Sequence, residues 1–449
     1  MNSCHFGIRR WLLAALALTA FIASGQTVPD STAAKENELN VNLQFLGRGE
    51  MRYGGFQRDV APGEEPVTNP RNSFLLSRTR LPITFKRDWL EACVTPQHSG
   101  VWGQEGKGSF NLYESWVKMS THSGLFAQVG RVALDYDDER IIGSDDWAMA
   151  SSSHDVLRMG YEGHGHKAHV ILAYNQNAQV MGNGDTYYVN GAQPYKTMQD
   201  MWYHYDMTRL NLGASLLFMN IGMQSAEELT TKKTIYQQLV GGYASFTPKR
   251  WKAEASFYYQ FGHNEFDMKI DAWMASVKAS FSPRDNFGFV AGYDYLSGDK
   301  LFAVPANGNI GVVQHKVIKG FSTVYGSHHQ FYGAMDFFYV STYLNGFTPG
   351  LQNAYFGGFY CPLTGLRLDA SYHYFATATE LVDMEKTLGH QFELQASYAI
   401  SRDVKLAVGA SFMSGSETME RLKRTSANNN LRWGWITLVV TPRIFSTKW

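Results

Sequence analysis

The sequence predicts an all-β fold, a single antiparallel transmembrane barrel of about eighteen strands with short turns at one end and long loops at the other. Three observations predict it. Apolar and polar residues alternate along most of the chain, the connections are short and long by turns, and the only long apolar run sits at the N-terminus.

That run, Trp11 to Ala23, follows Arg9 and Arg10 and ends in the small residues Ala23, Ser24 and Gly25. Basic, apolar and small residues in that order form a secretory signal, so residues 1–25 are expected to be cleaved and 26–449 to form the barrel. The run is shorter than the roughly 18 to 20 residues of a spanning helix. Cys4 lies upstream of it, where it cannot anchor a lipid on the mature chain. With 28 Phe, 25 Tyr and 11 Trp the chain is aromatic, yet its mean hydropathy is slightly polar, unlike a helical membrane bundle. Lys plus Arg and Asp plus Glu are balanced at 40 each, and losing Arg9 and Arg10 leaves the mature chain near minus two, so no nucleic-acid partner is expected. Only Cys93 and Cys361 remain after processing, too few for a disulfide framework.

Period two carries the strands. Over 251–261, Trp251, Ala253, Ala255, Phe257, Tyr259 and Phe261 share one face and Lys252, Glu254, Ser256, Tyr258 and Gln260 the other. The same split separates Leu366, Leu368, Ala370, Tyr372 and Tyr374 from Arg367, Asp369, Ser371 and His373, and Phe392, Leu394, Ala396 and Tyr398 from Gln391, Glu393, Gln395 and Ser397. Leu39, Val41, Leu43 and Phe45 oppose Asn40, Asn42 and Gln44, while 73–85 and 234–247 alternate less cleanly. A soluble sandwich also alternates. Segment lengths of a tilted spanning strand, aromatics at segment ends and the asymmetry of the connections favour the barrel.

Short turns fall at Thr247–Arg250, Ser282–Asp285 and Ser401–Asp403, and long polar connections at 54–72, 134–153, 177–195 and 414–430. Strands follow near 39–53, 73–85, 89–97, 110–119, 125–133, 154–162, 167–176, 197–206, 210–222, 234–247, 251–262, 269–282, 286–297, 352–361, 365–376, 388–400, 404–413 and 431–445. A further segment at 330–340 is tempting, but it makes the number odd and parts the termini; 298–351 is therefore read as one long connection that folds into the lumen. The C-terminal strand ends in Trp449, as in strands taken up by the outer-membrane assembly machinery.

Three segments resemble the alginate export family of outer-membrane proteins, in particular its Bacteroidetes-type members: GRVALDYDDERIIGSDDW from Gly130 to Trp147, YDYLSGD from Tyr293 to Asp299, and YGSHHQFYGAMDFF from Tyr325 to Phe338, followed by Gly350, Leu351 and Gln352. The resemblance implies an eighteen-stranded barrel that passes a solute through its lumen, with alginate, a polyanion, as the cargo of its dedicated exporter. The strand phases here turn Arg48, Arg52, Arg78, Arg80, Arg158, Lys252, Arg367 and Lys405 inward, but also Glu50, Glu114, Glu162, Glu254, Asp369 and Glu393. Such mixed charge suits a general or modestly selective porin better than a polyanion channel.

Arg78 and Arg80 point to one side, which must be the lumen because arginine in the lipid costs about 2 to 4 kcal/mol at mid-membrane. The run Arg131, Asp135, Asp137, Asp138, Glu139, Arg140, Asp145, Asp146 and Trp147 is read as a structured loop that narrows the pore. Its carboxylates lack calcium-loop spacing, and its arginines offer them ion pairs. His164, His166 and His169 sit at a tight turn, and His328 and His329 are adjacent, so neither group is read as a metal site. No Gly-x-Ser-x-Gly turn is present; Ser414 in FMSGSETME is only loosely similar, and nothing pairs His373 or His390 with a nucleophile, so no enzyme and no cofactor are expected. The expectation is an outer-membrane channel for hydrophilic solutes, anionic ones among them. A dedicated anionic-polysaccharide exporter and a plugged barrel serving as a surface binding or adhesion module are the alternatives.

Overall fold

In hydrocarbon every backbone N–H and C=O of a spanning strand must find a partner within the protein, which forces the strands to close into a ring. The computed structural model describes residues 36–54, 71–104, 108–175, 195–225, 233–303, 310–312, 317–336, 338, 348–423 and 430–449. Eighteen staves are found among the described residues. They are β1 (Asn37–Asn42 continuing as Gln44–Tyr53), β2 (Arg71–Arg80 continuing as Ile83–Arg87), β3 (Leu90–Val101), β4 (Ser109–Ser120), β5 (Leu125–Val132) and β6 (His154–Gly163). Then come β7 (His166–Tyr174), β8 (Thr197–Met207), β9 (Leu212–Gln224), β10 (Thr234–Phe246), β11 (Trp251–His263) and β12 (Lys269–Arg284). The ring is completed by β13 (Phe287–Leu296), β14 (Leu351–Leu363), β15 (Leu366–Ala376), β16 (Thr387–Ser401), β17 (Val404–Gly415) and β18 (Asn430–Val440 continuing as Arg443–Lys448). Each pairs antiparallel with the next, and β18 returns to β1 with Val440 opposite Phe45 and Lys448 opposite Glu38. Among the described residues no helix is long and apolar enough to cross a membrane.

The alternation sorts as the sequence predicts. Leu216, Val240, Phe257, Val277, Leu394, Val408 and Ile436 are exposed on the outer face, whereas Glu254, Ser256, Gln260, Ser276, Gln391 and Ser411 are buried on the inner one. Exposed aromatics gather at both rims: Trp251, Tyr360, Tyr398, Phe445 and Trp449 at the short-turn end, Tyr174, Tyr236, Trp273 and Tyr293 at the other. Such rims suit the two membrane interfaces. Proline interrupts the ladder where it cannot donate. β2 breaks at Leu81 and Pro82, where 73–85 was expected to run through, and Pro96 shifts the β3–β4 register. The turn between β6 and β7 places His164 and Gly165 at φ of 55° and 82°, the left-handed pair of a two-residue hairpin.

The long connection after β13 forms a small hairpin (Leu301–Ala303 with Ile310–Val312), lays Val317–Ile318 beside Lys269–Ile270, and then enters the ring. The described part of 330–340 is turn and 3-10 structure, not a strand, as the parity argument requires. The connection after β17 opens with a short helix, α1 (Glu417–Lys423). The hydrophobic core lies inside the ring: Leu134, Tyr136, Ile141 and Ile142 of one connection and Phe321, Tyr332 and Met335 of the other pack on Ile171, Met198, Met219, Leu239 and Met274 of the wall. The expected leader at 1–25, most of the connections 54–72 and 177–195, and residues 424–429 of 414–430 lie outside the described residues.

Candidate channel interior

Two neighbouring staves, β1 and β2, aim three arginines inward at one level. Arg78 reaches the carbonyls of Asp146 and Ala148, each at 2.9 Å, and the Asp146 carboxylate at 3.0 Å; Arg80 meets the same carboxylate at 2.6 Å. On β1, Arg48 donates to the Trp147 carbonyl at 3.0 Å and lies over its indole, 3.5 Å from the ring centre. The other face of Trp147 stacks on His329 at 3.9 Å. These arginines face the inside, as read from the sequence, and they hold the loop 134–153 against the wall.

The two inward segments are also bound to each other. Tyr325 N–H donates to Ile141 O, Gly143 N–H to Tyr325 O and Ser327 N–H to Glu139 O, at 2.8 to 3.0 Å. The Glu139 carboxylate accepts from Ser327 Oγ at 2.7 Å and from Gln330 Nε2 at 2.9 Å. Arg140, almost wholly buried, pairs with Asp294 of β13 at 3.1 Å and with Asp138 at 3.2 Å, donates to the Tyr332 hydroxyl at 3.0 Å and lies over Phe331. Asp294 accepts further from Ser276 Oγ at 2.7 Å and Asn353 Nδ2 at 2.8 Å. The three segments singled out by resemblance, 130–147, 293–299 and 325–338, thus meet in one cluster. Asp294, Tyr332 and Ser327 were not picked out as site residues. The inward parity of Asp294 between Tyr293 and Tyr295 was a signal that could have found it.

Of the remaining sequence-predicted residues, Glu50 accepts from Arg52 at 2.6 Å and from Trp433 Nε1 at 3.0 Å. Glu254 binds Lys252, Lys278 and the Tyr243 hydroxyl. Glu114 accepts from Trp116, Arg158 reaches the Tyr136 hydroxyl, Glu162 meets His169, and Lys405 shares the face of Ser411 near the short-turn end. Asp135 accepts the Ser144 N–H at 2.6 Å, and Asp137 takes the Trp202 indole N–H. Burial, with Asp336 nearby, pushes the Asp145 carboxyl up to about 6, and its Oδ1 finds no hydrogen-bond partner. Arg131 is a correction: it lies within β5, next to its end at Val132, on the face of outward Val129 and paired with Asp155 at 2.7 Å, so strand parity turns it away from the inward loop with which it was grouped. His166 stacks on Tyr205 while His169 points inward between Phe126 and Tyr136, so the three histidines do not converge. Among the described residues no group of three His, Cys, Asp or Glu side chains is placed to hold a metal ion.

Below the inward segments, toward the short turns, a cavity of about 630 Å³ is bounded by Arg367, Asp369, His373, Glu393, Gln395 and Trp435.

No family model matches the chain, and no curated protein is similar to it. Solved structures are similar in fold. OpdL of Pseudomonas aeruginosa shares 11% identity at a TM-score of 0.59, over 91% of this chain and 99% of that one. A BenF-like porin from Pseudomonas fluorescens Pf-5 shares 12% at 0.58, over 90% and 99%. OccK2 (OpdF) of Pseudomonas aeruginosa, solved in complex with glucuronate, shares 12% at 0.59, over 91% and 98%. At such identities the likeness is one of fold: these barrels and this chain share an architecture.

Proposed function

We propose that this protein is an outer-membrane channel through which hydrophilic solutes diffuse down their gradient. One observation carries the reading: a closed ring of eighteen strands with an apolar outer face and an inner face that bears charged and polar side chains beside an apolar sector packed by the inward loops. Rings of 16 to 18 strands are wide enough to leave an aqueous passage. In this reading the inward arginines and carboxylates line the passage, and the loop 134–147 together with 319–336 narrows it. The similarity in fold to porins supports the reading, and the glucuronate held by one of them places small sugar acids among the solutes to test.

The same proposal locates the chain in the outer membrane of a Gram-negative bacterium, reached through the leader at 1–25 and inserted by the assembly machinery through the strand that ends in Trp449. It assigns no catalytic role. Polysaccharide export is the variant supplied by the three alginate-export-like segments; an anion-over-cation permeability well above one is its mark. Planar-bilayer recording of the refolded protein decides the main reading. Ohmic steps support it, and a folded but silent barrel removes it. Liposome swelling with graded sugars separates a channel from a plugged adhesion module, since only an open lumen lets them through.

A further inference from the structure

We infer that the cavity beneath the inward segments is a resting site for a neutral, hydroxyl-rich ring, a mono- or disaccharide, in preference to an anion. The inference rests on the channel reading and names the solute class of its vestibule. Its volume of about 630 Å³ lies in the range of small-molecule sites.

The charges decide the class. Arg367 is the sole lysine or arginine among the described residues around the cavity, and it is already committed. Its Nε and Nη2 grip Asp369 at 2.7 to 3.0 Å, and its guanidinium lies 4.1 Å over the Phe359 ring. An incoming carboxylate or phosphate has to break that fork before it gains a cation. The second carboxylate, Glu393, is held by neutral donors: Ala334 N–H at 2.5 Å, Gln391 Nε2 at 2.6 Å and Ser371 Oγ at 2.8 Å. The imidazole nearest to Glu393, His373, stands 3.9 Å from it at Nε2 and donates from Nδ1 to Asn353 Oδ1 at 3.0 Å.

A hydroxyl faces no such obstacle. A carboxylate offers about four lone-pair positions, so Asp369 and Glu393 can each accept one more O–H without losing a partner. Gln395 and Ser280 supply amide and hydroxyl groups of both senses, and the Trp435 and Phe359 rings border the space with apolar surface for the C–H faces of a sugar.

The test is isothermal titration of the refolded protein in detergent micelles with maltose and glucuronate, which reads occupancy without ion flow. Maltose is expected to bind at least ten-fold tighter than glucuronate. Asp369→Asn frees Arg367 and is expected to tighten glucuronate at least five-fold, a gain that an unfolded variant cannot mimic. Gln395→Leu is expected to weaken maltose at least three-fold with an unchanged circular-dichroism spectrum. Glucuronate binding as tightly as maltose, no heat with maltose, or an unmoved glucuronate affinity in folded Asp369→Asn overturns the inference. A barrel that binds maltose but carries no current removes the channel reading alone, and one that conducts without binding maltose removes the cavity reading alone.

Discussion

Truncating Arg140 tests how the inward loop is held. Its guanidinium sits in a closed pocket between Asp294, Asp138, the Tyr332 hydroxyl and the Phe331 ring, with 2% of the side chain exposed on both Arg140 and Asp294. Arg140→Leu leaves Asp294 buried with only Ser276 and Asn353 as donors. Removing one partner of such a pair costs roughly 3 to 5 kcal/mol, because the survivor is an uncompensated buried charge. At about 1.4 kcal/mol per power of ten, the ratio of docked to released loop falls by roughly two to three and a half powers of ten. Arg140→Leu combined with Asp294→Leu removes both charges and should recover much of the loss, since an apolar pair of similar volume is close to neutral. Single-channel recording and limited proteolysis of 134–153 read the outcome. The single variant should show larger or noisier conductance and cleavage within the loop, and the double variant should show less of both. A single variant with native conductance and a protected loop refutes the argument that this ion pair latches the loop.

Deleting 137–146 should raise single-channel conductance, and an unchanged value would reject a narrowing role for that loop. The Asp145 carboxyl, raised from 3.8 to about 6 by burial and Asp336, keeps its proton in the docked loop at acidities where a released loop gives it up. That contribution to docking is complete below pH 3.8 and is lost as pH rises through 6, so conductance should climb between pH 5 and 7.5, and Asp145→Asn should flatten the climb. On the outer face, Val277→Arg places a guanidinium in hydrocarbon midway along β12 and should cost about 2 to 4 kcal/mol in denaturant unfolding from liposomes, unless that face does not meet lipid.

The barrel was legible because its grammar is local. Wherever one face meets lipid and the other a polar interior, as over 251–261, period two shows in the sequence, and turn signals such as Thr247–Arg250 set the ends. The signal faded over 234–247 for a physical reason that the structure supplies. There the inner face is apolar too, with Ile235 and Leu239 turned toward the inward loop, so a strand greasy on both sides marks the sector where the lumen is filled. The inward arginines were readable from strand phase and from the cost of arginine in lipid. Their partners were not: Asp146 lies 66 residues from Arg80, and Tyr332 lies 192 from Arg140. Period and spacing report on neighbours along one stave, and such contacts arise only when loops fold back across a closed ring. Arg131 was misplaced for the opposite reason, since a motif read as one unit was divided by a strand end within it.

The seam has a consequence for how the molecule is made. Asn37 exchanges backbone hydrogen bonds with Trp449, so the wall that one end of the barrel begins is completed only by the strand at its other end. Until then each growing sheet carries two bare edges, which are templates for pairing with other chains. A nick in an exposed loop leaves that zipper intact, whereas loss of a few C-terminal residues reopens it from the end. Biogenesis of this protein is therefore a problem of delay, in which both borders stay shielded until the whole polypeptide is present, and truncation should be punished by aggregation rather than by a smaller pore.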